Sequence, residues 1–73
     1  MPTPKYRFDI AAFREAAAQK GDATGYAIAQ RTGLSEGAIS RILNGYRQPK
    51  LDSAAHLAHT YGATLDDLVQ VAA

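Results

Sequence analysis

The sequence predicts an all-α protein, a single compact bundle of five short helices, on three observations. Helix punctuation recurs along the chain: a polar cap, apolar residues three and four apart, then a glycine stop. β-Branched residues are few and alanine is abundant, so strand signals are weak. A chain of 73 residues allows one domain and one core. A domain of that size buries only about 60% of the surface its unfolded chain exposes, so little stability is spare for strained sites.

The elements follow in order. In FDIAAFREAAAQKG, Asp9 caps the first helix, about 9–20. Phe8 before the cap and Phe13 after it have the spacing of a hydrophobic staple. Ile10, Phe13 and Ala17 share one face, and Gly21 offers a left-handed stop. Thr24 caps a second helix, about 25–32, with Ile28 and Ala29 facing inward. Ser35 caps a third, about 36–44, with Ile39, Ile42 and Leu43 apolar, and Gly45 stops it. Pro49 suits the entry to a fourth, about 51–61, with Leu51, Ala54, Leu57, Ala58 and Tyr61 on one side. Gly62 closes that helix. Thr64 and Asp67 then resemble a capping box for a short fifth helix carrying Leu65, Leu68 and Val69. Residues 1–8 read as a flexible N-terminal arm, 9–70 as the domain and 71–73 as a C-terminal tail.

The stretch GYAIAQRTGLSEGAISRILN, residues 25–44, would be one long helix but for Gly33. A glycine inside a helix costs roughly 1 kcal/mol relative to alanine. The cost disappears if Gly33 is a left-handed turn between two short helices. Ala29 is small enough to let them cross, Ile39 and Ile42 pack into the crossing, and Leu34 plugs the turn. Small–Gly–apolar–apolar at these spacings defines a helix-turn-helix.

With those residues in place, the chain resembles the Xre-type helix-turn-helix domains, which include the phage Cro and lambda-repressor proteins. LSEGAISRILNGYRQPKLDSAAHLAHTYGATLDDLV follows that pattern without gaps: a capped recognition helix, Gly, a basic loop, Pro, an amphipathic helix, Gly, a short Leu-rich helix. The resemblance covers residues 8–69 and implies a lambda-repressor-like bundle that binds duplex DNA through its second and third helices. ISRILNG also resembles the recognition helix of LacI-type headpieces. Those begin directly at the helix-turn-helix, whereas here a full helix precedes it.

A helix fits the major groove, and side chains near its N-terminus reach base edges. With Ile39, Ile42 and Leu43 inside, the outward face of the third helix carries Glu36, Gly37, Ser40, Arg41 and Asn44. Arg41 can pair with two acceptors on guanine or hold a phosphate. Ser40 can reach a base or a phosphate, or stand solvated. Glu36 can accept from cytosine N4, or simply favour the helix dipole as a first-turn acid. Gly37 reads nothing; it either permits close backbone approach or is a tolerated weak spot. The base-contact candidates are thus Glu36, Gly37, Ser40 and Arg41.

Phosphate contacts are expected around them, because helix N-termini attract phosphate oxygens. Thr24 and Ser35 cap those starts. Where the Xre-type family often has glutamine after the first cap, this chain has Gly25. Tyr26, Arg31, Asn44, Tyr46, Arg47 and Gln48 complete the phosphate set, and Lys5 and Arg7 could act from the arm. Charge agrees: the net charge is +1, yet residues 31–50 hold four cations against one anion and residues 51–73 hold three anions alone.

Other classes are weaker. With no cysteine there is no disulfide or thiolate chemistry. No apolar run approaches the ~20 residues of a membrane span, and MPTPKYRFDI lacks the apolar core of a signal peptide. Asp52, His56 and His59 share one helix but lack a third strong ligand. No catalytic motif or cofactor cradle appears. The expectation is a cytoplasmic, non-enzymatic transcriptional regulator without cofactor or metal, a repressor acting as a homodimer on a palindromic operator in double-stranded DNA. The alternative is a protein–protein interaction module or antitoxin on the same fold, using the acidic, partly apolar C-terminal helix with Leu68, Val69 and Val71.

Overall fold

The computed structural model describes residues 5–72. Its elements are β1 (Lys5–Phe8), α1 (Ile10–Gln19), α2 (Gly25–Thr32), α3 (Glu36–Leu43), α4 (Leu51–Thr60), α5 (Leu65–Leu68) and β2 (Val69–Ala72). All five helices lie where the caps and glycine stops place them. Asp9, Thr24, Ser35 and Thr64 each accept a backbone N–H from the third residue onward, and Thr64 with Asp67 completes the capping box.

The core forms where apolar faces meet. Phe13, Ile28, Ile39, Leu57 and Leu68 are fully buried, one large side chain from each helix. Burying each such side chain stabilises by about 1.5–3 kcal/mol. The staple is present: the rings of Phe8 and Phe13 stand 5.5 Å apart, and Phe13 meets Tyr61 edge-on at 5.6 Å. Leu51 departs from the expected inward face. At the first turn of α4 it is 48% exposed.

The all-α expectation needs correcting. The two ends of the chain pair as an antiparallel ribbon, with Tyr6 opposite Val71 and Phe8 opposite Val69. Residues 5–8 are therefore a strand and not an arm, and Val71 and Ala72 belong to its partner and not to a tail. The rest of the expected arm, 1–4, and Ala73 lie outside the described residues. An isolated two-stranded ribbon is marginal in water. This one is anchored by Phe8 in the core and by Asp9, whose N–H donates to the Leu68 carbonyl at 2.7 Å. The ribbon and core also take up the apolar C-terminal residues expected to serve a partner: Leu68 is buried and Val69 packs against the core. Among the described residues, no helix is long and apolar enough to cross a membrane.

Candidate nucleic-acid interface

Gly33 sits at φ 80°, ψ 4°, the left-handed region that residues with a Cβ avoid. Its N–H donates to the Ala29 carbonyl at 2.9 Å and closes α2. The neighbouring backbone is laced by Thr32, whose Oγ1 donates to the Ile28 carbonyl at 2.8 Å and accepts the Leu34 N–H at 3.3 Å. His56 reaches across from α4, and its Nε2–H donates to the Thr32 carbonyl at 2.8 Å. A carbonyl only accepts, so this bond fixes the proton on Nε2. His56 thus braces the turn. Among the described residues no group of three or more potential metal ligands is assembled.

Ser35 then starts α3, its Oγ accepting the Ala38 N–H at 3.1 Å. Ile39 and Ile42 are buried, Leu43 is half-buried, and Glu36, Gly37, Ser40, Arg41 and Asn44 are exposed. All four base-contact candidates lie on this one solvent-facing surface. A Cβ built on Gly37 would meet nothing within 4 Å, so no intramolecular packing demands glycine there. A Cβ on Gly25 would touch Ile39 Cγ2 at 3.7 Å and Leu43 Cδ1 at 3.9 Å. The residue that departs from the Xre-type pattern therefore lies at the α2–α3 crossing, alongside Ala29.

The end of α3 is equally defined. Gly45, at φ 77°, lets the chain fold back, so that its N–H reaches the Ile42 carbonyl at 3.2 Å and the Tyr46 N–H reaches the Arg41 carbonyl at 2.9 Å. The Arg47 N–H shares that carbonyl at 3.2 Å. Asn44 Nδ2 donates to the Ser40 carbonyl at 2.8 Å and to its Oγ at 3.2 Å. Tyr46 is 84% exposed and Tyr26, on the first turn of α2, 62% exposed. Tyr26 follows Gly25 at the α2–α3 crossing, and Tyr46 follows the Gly45 turn that ends α3. Thr24, by its cap bond to Ala27 at 3.1 Å, holds the start of α2.

Two further phosphate candidates, Arg31 and Gln48, bond to residues outside their own element. Arg31 forms a two-point ion pair with Asp22: Nε donates to Oδ2, and Nη2 to Oδ1 at 3.3 Å. Tyr61 donates its hydroxyl to the same Asp22 Oδ2 at 2.8 Å, and the Arg31 guanidinium lies 6.0 Å from the Tyr61 ring centre. The bonds from Arg31, then that from Tyr61, hold the Asp22 carboxyl below its ordinary value, while Asp22 raises Arg31 further. Burial, then the bond to Asp22, pushes Tyr61 up to about 12. Arg31 is thus a brace between α2 and the end of α4.

Gln48 is the other. Its Nε2 donates to the Tyr6 carbonyl at 2.8 Å and its Oε1 accepts the Phe8 N–H at 3.2 Å, so the side chain pairs with β1 as a short strand would. Tyr6 answers by donating its hydroxyl to the Pro49 carbonyl at 3.0 Å. Bond for bond, the loop after α3 is fastened to β1. This link was not readable from sequence, because 42 residues separate Gln48 from Tyr6.

Among the described residues the Arg31–Asp22 pair is the ion pair present; Arg41 and Arg47 stand exposed without one. Capped helix starts, arginines without an acidic partner and exposed tyrosines are groups of the kind that bind a polyanion backbone. A family model described as a helix-turn-helix domain matches residues 10–71, which leaves β1 outside the matched span. Searches of curated proteins and of solved structures return no match.

Proposed function

The chain belongs to the helix-turn-helix domain family, and on that premise we propose that it is a cytoplasmic, non-catalytic transcriptional repressor that seats α3 in the major groove of duplex DNA. The observation that carries this reading is the outer face of α3. Ser40 and Arg41 point to solvent on a helix fixed at its start by Ser35 and at its end by the Gly45 turn.

In this reading Arg41 reads a base and Ser40 assists it. Glu36 accepts from a cytosine or stays at the dipole. Gly37 lets the backbone approach. Thr24, Tyr26, Ser35, Asn44, Tyr46 and Arg47 hold the flanking phosphates. One α3 offers few base contacts, which favours a homodimer on a palindromic operator with half-sites about 34 Å apart. Occupancy of such a site would block a promoter.

A salt titration with duplex DNA tests the reading. Binding at low salt that weakens linearly in log–log form, with a slope of about −0.9 per phosphate neutralised, supports it. No affinity for any duplex at low salt refutes it and leaves a protein-binding module. Ultracentrifugation on a selected site tests the dimer; a strictly monomeric complex rules it out.

A further inference from the structure

We propose that Arg7 and Arg47 together seat a single phosphate of duplex DNA at the outer end of α3, with β1 as the element that positions Arg7. The proposal rests on the DNA-binding reading above and adds a residue that the helix-turn-helix itself does not contain.

Arg7 is exposed on a strand whose two neighbours are both tied to the loop after α3. Tyr6 is held by Gln48 at its carbonyl and by Pro49 at its hydroxyl, and Phe8 by Gln48 at its N–H. That loop is in turn fixed to α3, because the Arg47 N–H donates to the Arg41 carbonyl. Arg7 and Arg47 are thereby brought to one cavity of about 140 Å³. The apolar Phe8, Ile10 and Ile42 line it together with Gly45 and Gln48, and no carboxylate does.

Both arginines line the cavity, so an anion seated there is within reach of two cationic side chains. The nearest acid in sequence, Asp9, lines a second cavity with Arg7 and is engaged by the Ala12 N–H at 3.0 Å and the Gln70 amide at 3.3 Å. A cavity of about 140 Å³ has room for a phosphate group. Guanidinium pairs bind phosphate through charge-assisted, often bidentate bonds. An arginine held on a strand also loses less freedom on binding than one on a loose arm. The seat lies beside the loop that follows α3, where a DNA backbone flanking the groove would run.

The test is a salt titration on duplex DNA with wild type, Arg7→Gln, Arg47→Gln and the double variant. Arg7→Thr serves as a second neutral change that suits a strand. The expected result is that either neutral change at Arg7 weakens binding on all sequences alike and lowers the salt slope by up to about one. Arg7→Lys retains that slope. The double variant loses less affinity than the product of the single losses, because one phosphate is shared. If wild type binds DNA steeply and neither Arg7→Gln nor Arg7→Thr changes affinity or slope, the seat is refuted while DNA binding stands. If the single losses multiply in full, the arginines hold separate phosphates and the shared seat is refuted. If wild type binds no duplex, the seat and the DNA-binding reading fall together.

Discussion

The carbonyl of Arg41 accepts the backbone N–H of Tyr46 at 2.9 Å. The side chain proposed to read a base and the aromatic proposed to meet a phosphate therefore sit on one hydrogen-bonded corner. Gly45 makes that corner possible through its left-handed backbone, and a Cβ there would meet only Ile10 Cδ1 at 3.9 Å. Gly45→Ala should thus cost about 1–2 kcal/mol in backbone strain rather than in a clash. Denaturant unfolding reads the cost, and DNA affinity should fall by more than the fraction unfolded explains.

Gly37 behaves oppositely. It lies within α3 with open space where a Cβ would go. Gly37→Ala should stabilise the fold by roughly 0.5–1 kcal/mol. If the DNA backbone approaches closely there, the same variant binds DNA more weakly while melting higher. A variant that melts higher and binds as well as wild type makes Gly37 a weak spot only.

Gln48→Ala removes two of the three bonds that hold β1 to the loop and leaves that of Tyr6 to the Pro49 carbonyl. The expected outcome is faster hydrogen exchange at Tyr6 to Phe8 and across the ribbon at Val69 and Gln70, with little change at Ile39 or Leu57. Unchanged exchange in the ribbon would show that Phe8, the Asp9–Leu68 bond and the Tyr6–Pro49 bond secure it without Gln48.

The pH dependence has two limbs. Asp22 is held below its ordinary value near 3.8, so its contribution is present above that value and is lost as pH falls below it. Asp67 shares this acid limb, lowered by its bonds from the Thr64 backbone and side chain. Tyr61 is raised from 10.0 to about 12, so its contribution is full below pH 10 and is lost between those values. Melting temperatures across pH should show Asp22→Asn flattening the acid limb. Tyr61→Phe should flatten the alkaline limb and cost about 1 kcal/mol at neutral pH for the lost hydrogen bond. An acid limb unchanged by Asp22→Asn, beyond the part that Asp67 keeps, or an alkaline limb unchanged by Tyr61→Phe, would place the titrations elsewhere.

What the sequence disclosed follows the range of the interactions. Caps and glycine stops act within four residues, so Asp9, Thr24, Ser35, Gly33 and Gly45 were legible, and the 3.6-residue period exposed the outer face of α3. The ribbon was not, because its strands are four residues each and sit at opposite ends of the chain. Its one local trace is the alternation in Tyr6-Arg7-Phe8 and Val69-Gln70-Val71, too short to outweigh the helical pattern. The bonds of Arg31 and Gln48 are not legible in the sequence, because their partners, Asp22, Tyr6 and Phe8, come close only in three dimensions. Leu51 kept helical spacing yet stands at the bundle's edge, where the period no longer guarantees burial.

Arg41 is where the central claim meets a single measurement: selection of bound duplexes from a random pool, with wild type and Arg41→Ala in parallel. The account predicts that wild type enriches a defined motif and that Arg41→Ala loses the preference at one base pair while keeping the rest. Recovery of an unchanged motif by Arg41→Ala, or of no motif by wild type, would contradict it.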